Sequence, residues 1–198
     1  MALFSEKIEL DLPDAKIDYY PCFIETSLAN SFFQELKEKV KWQQDDITVF
    51  GKTYAQPRLT ALYADNQKTY SYSNITMHPH QFGDTLLKIK ELVIEHTKFE
   101  FTTCLLNRYR NGKDSNGWHA DDEKELGQNP VIASVSLGAE RYFHLRHKKD
   151  NTLKHKMLLQ HGSLLVMKGE TQHFWQHQLP KTAKIIGERI NLTFRIIK

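Results

Sequence analysis

Residues 130–169 read PVIASVSLGAERYFHLRHKKDNTLKHKMLLQHGSLLVMKG. Apolar segments a few residues long, rich in Val, Ile, Leu and Phe, are broken by Gly138, by the Lys-rich run after His147, and by Gly162 and Gly169. Segments this short, separated by turn residues, predict strands rather than helices. The pattern continues in both directions, upstream into TCLLNRYR (103–110) and downstream into RINLTFRIIK (189–198). Several such strands at regular spacing predict a sandwich or barrel, here a double-stranded β-helix (jelly-roll) core.

Towards the N-terminus the character changes. SLANSFFQELKEKV (27–40) places Leu28, Phe32, Phe33, Leu36 and Val40 at helical spacing, with Ser27 as a plausible N-cap. A second helix is expected over 79–97, with Phe82, Leu86, Leu87, Ile89, Leu92 and Val93 along one side and Pro79 near its start. Between the two, ITVFGKTY (47–54) predicts a β-hairpin turning near Phe50 and Gly51, with the Phe at an exposed tip. The expectation is an α+β protein forming a single catalytic domain over 1–198. Residues 1–98 would supply supporting helices and a recognition layer, and residues 99–198 the jelly-roll core.

Of the 198 residues, 40% are hydrophobic and 26% charged, which suits one globular domain with a sizeable core. No apolar run approaches the length of a membrane span, and MALFSEKIEL does not read as a signal peptide, so no membrane partner is expected. The net charge of +3 is compatible with nucleic acid without demanding it. Two cysteines, Cys22 and Cys104, cannot form a disulfide framework and are expected to be buried thiols. Ten histidines are more suggestive, because imidazole is the commonest metal ligand.

The chemistry centres on NGWHADDEKE (116–125). His119 and Asp121 are two apart, and on an extended chain such residues point to the same face. One imidazole and one carboxylate are two-thirds of the facial triad of non-haem Fe(II) oxygenases. A second imidazole must come from another strand; His161, His173 and His177 are the candidates, and His177 in TQHFWQHQLP is the best placed. Aromatic content and Pro180 favour an extended segment there over a helix carrying His173 and His177 one turn apart. In RINLTFR, Ile190, Leu192 and Phe194 face one way, and Arg189, Asn191, Thr193 and Arg195 the other. Two guanidiniums on a buried face require an anion, and a dicarboxylate would satisfy both; the bland reading is a solvent-facing edge strand.

Taken in order, LNRYRNGKDSNGWHADDE, IASVSLGAER, HGSLLVMKGETQHFWQHQLP and RINLTFR resemble the AlkB family of Fe(II)- and 2-oxoglutarate-dependent dioxygenases. TVFGK and TYSYS are similar to the wedge hairpin and nucleotide-recognition lid of the branch that repairs duplex DNA. The resemblance implies that His119, Asp121 and His177 ligate Fe(II), that Asn107 and Tyr109 hydrogen-bond 2-oxoglutarate, and that Arg189 and Arg195 each meet one of its carboxylates. Asn191 and Thr193 would line the same site. It also implies O2 as co-substrate and oxidation of an N-methyl group, with release of succinate, CO2 and formaldehyde.

An N1-methylated adenine or N3-methylated cytosine is cationic, so its pocket should combine aromatic faces with a carboxylate. Tyr70 and Tyr72 offer rings, Asp122 or Glu123 the charge, and Ser73 a nucleotide contact. Tyr72 stands where the resembled pattern has Phe. Because the target atom is inaccessible in a duplex, the nucleotide must flip. Phe50 would fill the gap, with Gly51 and Lys52 shaping the tip. Arg146, Lys148 and Lys149, in the basic run between two strands, are candidates for phosphate contact. Arg58 has no assigned role. The expected substrate is alkylated DNA, double- or single-stranded, acted on by a monomer. The alternatives are an RNA demethylase, a catalytically silent nucleic-acid-binding module, and a protein hydroxylase. Localisation would be cytoplasmic in a bacterium and nuclear in a eukaryote.

Overall fold

The computed structural model describes residues 6–49, 51–66, 70–72 and 75–197, with residues 48, 49, 70–72, 75 and 76 described as backbone alone. In chain order the strands are β1 (Ile8–Leu10), β2 (Lys16–Tyr20), β3 (Asp46–Val49), β4 (Lys52–Ala55), β5 (Leu59–Ala64), β6 (Tyr70–Tyr72), β7 (Ile75–Met77) and β8 (Thr103–Tyr109). They continue as β9 (Asn116–His119), β10 (Ile132–Gly138), β11 (Arg141–His147), β12 (Lys154–Leu159), β13 (Ser163–Lys168), β14 (Trp175–Leu179) and β15 (Arg189–Arg195). The helices are α1 (Thr26–Lys39), α2 (Asp84–Thr97) and the single turn α3 (Thr171–Phe174). Among the described residues no helix is long and apolar enough to cross a membrane.

Two antiparallel sheets face each other. The larger has the order β1-β2-β13-β10-β15-β8-β5, the smaller β12-β11-β14-β9. Strand alternation divides the apolar residues into two layers. Ala133 and Val135 of β10, Leu164 and Val166 of β13 and Ile190, Leu192 and Phe194 of β15 pack with Phe32 and Leu36 of α1 and Ile89 and Val93 of α2. The opposite faces of those strands meet the small sheet, where Leu105, Ile132 and Met167 pack with Phe143, Leu145 and Trp175. The large sheet is therefore covered on both sides, by helices and by the second sheet.

This architecture matches the expected α+β jelly roll, with several differences in detail. The first half of the chain is not only a supporting layer: β1, β2 and β5 are strands of the large sheet, so residue 98 is not a boundary between layers. In α1 the cap is Glu25, whose carboxylate accepts from the Ser27 and Leu28 amides at 3.0 and 3.3 Å, two residues ahead of the expected Ser27. α2 begins at Asp84 after Gly83, leaving Pro79 outside the helix. Cys104 is buried as expected, but Cys22 is exposed, in the turn between β2 and α1. The hairpin of β3 and β4 forms with Gly51 in its turn at a φ of +74°, where glycine carries no steric cost. Gly138 ends β10 at a φ of +84°, and a Cβ there would meet the Glu188 carbonyl oxygen at 2.5 Å. That close approach brings the start of β15, and with it Arg189, against the end of β10.

Candidate metal centre and anion pocket

β14 and β9 pair so that His177 lies directly across from His119. Asp121 follows two residues later and turns back to the same face. One ligand atom from each of His119, Asp121 and His177 lies within 4.8 Å of the others, a spacing suited to one metal ion. His119 Nε2 stands 3.7 Å from Asp121 Oδ1, and the two imidazole centroids are 4.3 Å apart. His119 Nδ1 lies 2.8 Å from the Gly117 carbonyl oxygen. A carbonyl only accepts, so Nδ1 carries the proton and Nε2 turns its lone pair towards the other ligands. His173 lies within α3 and contacts Asn129, while the His161 Nδ1 accepts from the Gly138 amide; neither joins the group.

The environment sets both buried ligands in the metal-binding protonation state. Burial alone would raise the Asp121 carboxyl, but the Arg195 guanidinium and then the two imidazoles outweigh it and hold it down at about 2. Burial, reinforced by His119, pushes the His177 imidazole down to about 3 against the pull of Asp121. Asp121 Oδ2 pairs with an Arg195 guanidinium nitrogen at 3.0 Å. Its backbone N–H donates to the side-chain oxygen of fully buried Gln172 at 2.8 Å.

The same space opens into a cavity of about 370 Å³ between the sheets, lined by the three ligands and by Asn107, Tyr109 and Arg189 among others. β15 is an interior strand between β10 and β8, and all seven of its residues are buried, so the solvent-facing edge reading fails. Asn191 sits across from Asn107, and Arg189 from Tyr109. Asn191 donates to the Ser134 hydroxyl at 2.7 Å, and the Thr193 hydroxyl donates to the Asn191 side-chain oxygen at 3.1 Å. Arg189, 2% exposed, donates to the Ser136 hydroxyl at 2.9 Å and stands 5.4 Å over the Tyr109 ring. Its Nε has no hydrogen-bond partner, and among the described residues no carboxylate pairs with it. Burial pulls this guanidinium down to about 10, with nearby Arg141 adding to the effect.

Alternation along the strand puts the two arginines on one face but does not tell their different partners. Arg195 is paired with the ligand carboxylate, whereas Arg189 is left for an anion from outside. The sequence pattern also leaves two further buried arginines without a role. Arg58 Nε donates to the Asn107 side-chain oxygen at 2.7 Å, which fixes the amide so that its NH2 group remains as donor. Arg141 donates to the backbone oxygens of Asn111, Asp114 and Pro180 and stands 5.9 Å over the ring of Tyr109. An Arg preceded by Pro in a non-strand stretch was the only cue to the first; nothing in the sequence separates Arg141 from a surface arginine.

Among the substrate candidates, Glu123 lines the cavity and Asp122 does not. Asp122 instead pairs with Lys148 at 2.9 Å, and Lys148 also donates to the Gln172 carbonyl. Arg146 donates to the Gln176 side chain and lies 4.3 Å over the Trp118 ring, and Lys149 stands 5.4 Å over Phe174. Gly51 and Lys52 are exposed at the hairpin. Tyr70 and Tyr72 belong to the β6–β7 hairpin by backbone pairing. Phe50 and Ser73 lie outside the described residues.

Comparison with known proteins agrees with this geometry. Residues 16–195 match the model of the 2OG-Fe(II) oxygenase superfamily. The chain is 44% identical over 191 residues to alpha-ketoglutarate-dependent dioxygenase alkB homolog 3 of Bos taurus, covering 89% of this chain and 64% of the relative. It is 38% identical over 179 residues to DNA oxidative demethylase ALKBH2 of Mus musculus, covering 85% of this chain and 75% of that one. The chain thus spans a little under two thirds of the alkB homolog 3 relatives' length. A solved structure of OsALKBH1 superposes with a TM-score of 0.69 over 96% of this chain and all of its own, at 16% identity, which shows a shared fold.

Proposed function

Because the chain belongs to the 2OG-Fe(II) oxygenase superfamily, among the AlkB homologues, we propose that it is an oxidative demethylase of N-alkylated bases, 1-methyladenine and 3-methylcytosine, in DNA. The observation that carries this reading is the adjacency, in one cavity, of the His119–Asp121–His177 group and a buried guanidinium, Arg189, that no carboxylate of the described residues pairs with.

The residues present fit the groups the family uses. Two imidazoles and an ionised carboxylate suit Fe(II), and the orphaned Nε of Arg189 suits a carboxylate of 2-oxoglutarate. When bound, Fe(II), 2-oxoglutarate and O2 supply the oxidation of the N-methyl carbon, with succinate, CO2 and formaldehyde as products. His119, Asp121 and His177 hold the metal. Arg189 and the fixed Asn107 amide orient the dicarboxylate, with Tyr109, Asn191 and Thr193 beside them. Arg195 holds the Asp121 carboxylate in its ionised form. Glu123, at the cavity wall, is the acid best placed to face a cationic base, in preference to the Lys148-paired Asp122.

The flipped base would stack on the aromatic side chains of β6, and Phe50 would fill the gap it leaves in a duplex, beside Gly51 and Lys52. The test is anaerobic loading with Fe(II) and 2-oxoglutarate, then O2, with mass analysis of an oligonucleotide carrying one 1-methyladenine. Conversion to unmodified adenine with stoichiometric succinate supports the reading; succinate formation that is indifferent to the methylated base rejects it. Replacing Phe50 with Ala should harm repair in a duplex more than in a single strand.

A further inference from the structure

The four strands of the small sheet, NGWH, RYFHLRH, KHKMLL and WQHQL, contain neither Asp nor Glu. Their inward residues, among them Phe143, Leu145 and His177, build the core and the site. Alternation sends the others outward. On β11 these are Tyr142, His144 and Arg146. The register sets Lys154 beside Arg146 and Lys156 beside His144 on one flank, and Gln176 and Gln178 beside the same two residues on the other.

This outer face is cationic and aromatic. The Lys156 ammonium lies 3.9 Å over the Tyr142 ring, and Tyr142 is 45% exposed. The Arg146 guanidinium lies over Trp118. Lys154 and Lys156 are exposed, and among the described residues neither they nor Arg146 pairs with a carboxylate. The positive charges are close enough to act on one another: burial and then Lys156 lower the His144 imidazole. A face that gathers like charges with no internal counter-charge is costly unless a polyanion lies on it. The face is also continuous with the cavity, because Trp118 lines the cavity mouth while the next residue, His119, points into the metal group.

We propose that the outer face of the small sheet is a docking track for the single strand of DNA flanking the target base, with Tyr142 as a stacking platform and Lys154, Lys156 and Arg146 as phosphate contacts. Its chemistry is that of sequence-tolerant single-strand binding, which combines a basic surface with exposed aromatic rings. By ladder spacing Tyr142 lies two strands across and about two residues along from Trp118, roughly 12 Å away, room for the nearest flanking bases of an extended strand. The track rests on the nucleic-acid reading above, and deepens it by giving the polymer a path.

The test uses the full chain and a fluorescein-labelled, unmethylated oligothymidylate, so binding is read without catalysis. In fluorescence anisotropy, Tyr142→Ala should weaken binding roughly tenfold, as expected for loss of one stacked base. Lys154→Ala with Lys156→Ala should reduce the steepness of log K against log salt by about 1.4, the value for two lost single-strand phosphate contacts. These side chains are at the surface, so melting temperatures should not change. Demethylation of a methylated trinucleotide, too short to reach Tyr142, should remain at the wild-type rate, while a long oligonucleotide should show a raised KM. Unchanged anisotropy and salt slope in the variants would overturn the track. A larger loss on duplex than on single-strand probes would overturn the commitment to a single strand. A wild-type protein that binds the probe in a Tyr142-dependent way but demethylates nothing would leave the track standing and remove the proposed reaction.

Discussion

Replacing Arg189 with Met should separate folding stability from ligand binding. The guanidinium is 2% exposed, with the Ser136 hydroxyl as its one side-chain acceptor among the described residues and the Tyr109 ring nearby. Burial pulls it from the ordinary guanidinium range down to about 10. At 1.36 kcal/mol per unit, holding the charge inside the ligand-free protein costs about 3 kcal/mol. The sign follows from linkage: the folded value is depressed, so the unfolded chain binds the proton more tightly, and the cost is fully present at neutral pH. It fades only as pH rises above about 10 towards the ordinary guanidinium range. Met fills similar space without the charge; against the relief stand a charge-assisted hydrogen bond and the ring contact, together about 2 kcal/mol. The ligand-free variant should therefore melt level with the wild type or a few degrees above it, at about 2–4 °C per kcal/mol for a chain of this size. Ligand reverses the order. 2-Oxoglutarate at a hundred times its dissociation constant should stabilise the wild type by about 2.7 kcal/mol and the variant hardly at all. Differential scanning fluorimetry with and without Fe(II) and 2-oxoglutarate reads both effects. A ligand-free variant melting well below the wild type would mean that the guanidinium is already satisfied internally; equal stabilisation of both proteins by the ligand would remove Arg189 from the binding site.

Three further outcomes follow from neighbouring contacts. Gln172→Leu leaves the Asp121 backbone N–H without its acceptor in a dry site, and Co(II) affinity measured by calorimetry should fall roughly 10- to 100-fold, as for other groups that orient ligands; unchanged affinity would show that the loop is held by other means. In the native protein an aromatic disulfide reagent should titrate one thiol, the exposed Cys22, and reach Cys104 only on unfolding, because burial raises the Cys104 thiol far above its usual range; two fast-reacting thiols would contradict this. Glu188 is raised by burial but lowered more by its bonds to Lys37 and Arg108, so its folded value lies below 4.5. Its contribution is fully present above the unfolded value and is lost as pH falls through the folded one, so Glu188→Gln should lower the urea midpoint at pH 7, and the difference should shrink as the pH is taken progressively into the acid range.

The parts of the fold legible in the sequence are those whose signal is local. Short apolar segments between turn residues gave β8, β10, β11, β12, β13 and β15 close to their observed bounds, and the glycine at 51 marked its hairpin. The strands that escaped notice lack that signal. β2, KIDYY, alternates around a buried Asp18, whose carboxylate is held by Lys168 at 2.6 Å from the neighbouring strand. β5, LTALYA, lies between Pro57 and a polar stretch, and is a strand because β8 pairs with it along six residues. Neither pairing is visible from the segment itself.

The site divides along the same line. His119 and Asp121 were legible because two-residue spacing on an extended chain is a geometric statement, and His177 followed once a partner strand was required. The division of work between the arginines was not legible, since alternation puts Arg189 and Arg195 on one face without saying how far along the cavity each lies. Six residues of strand separate them by roughly 20 Å of backbone rise, so one reaches the metal group and the other the cavity's far end. Arg195 can then keep Asp121 ionised in the ligand-free protein. Arg189, with a hydroxyl and a ring for company, keeps a charge that no group in the described protein neutralises. A pocket in which both guanidiniums were internally paired would hold the metal ligands equally well but would present nothing to a dicarboxylate. It is the unpaired one that makes the cavity a co-substrate site.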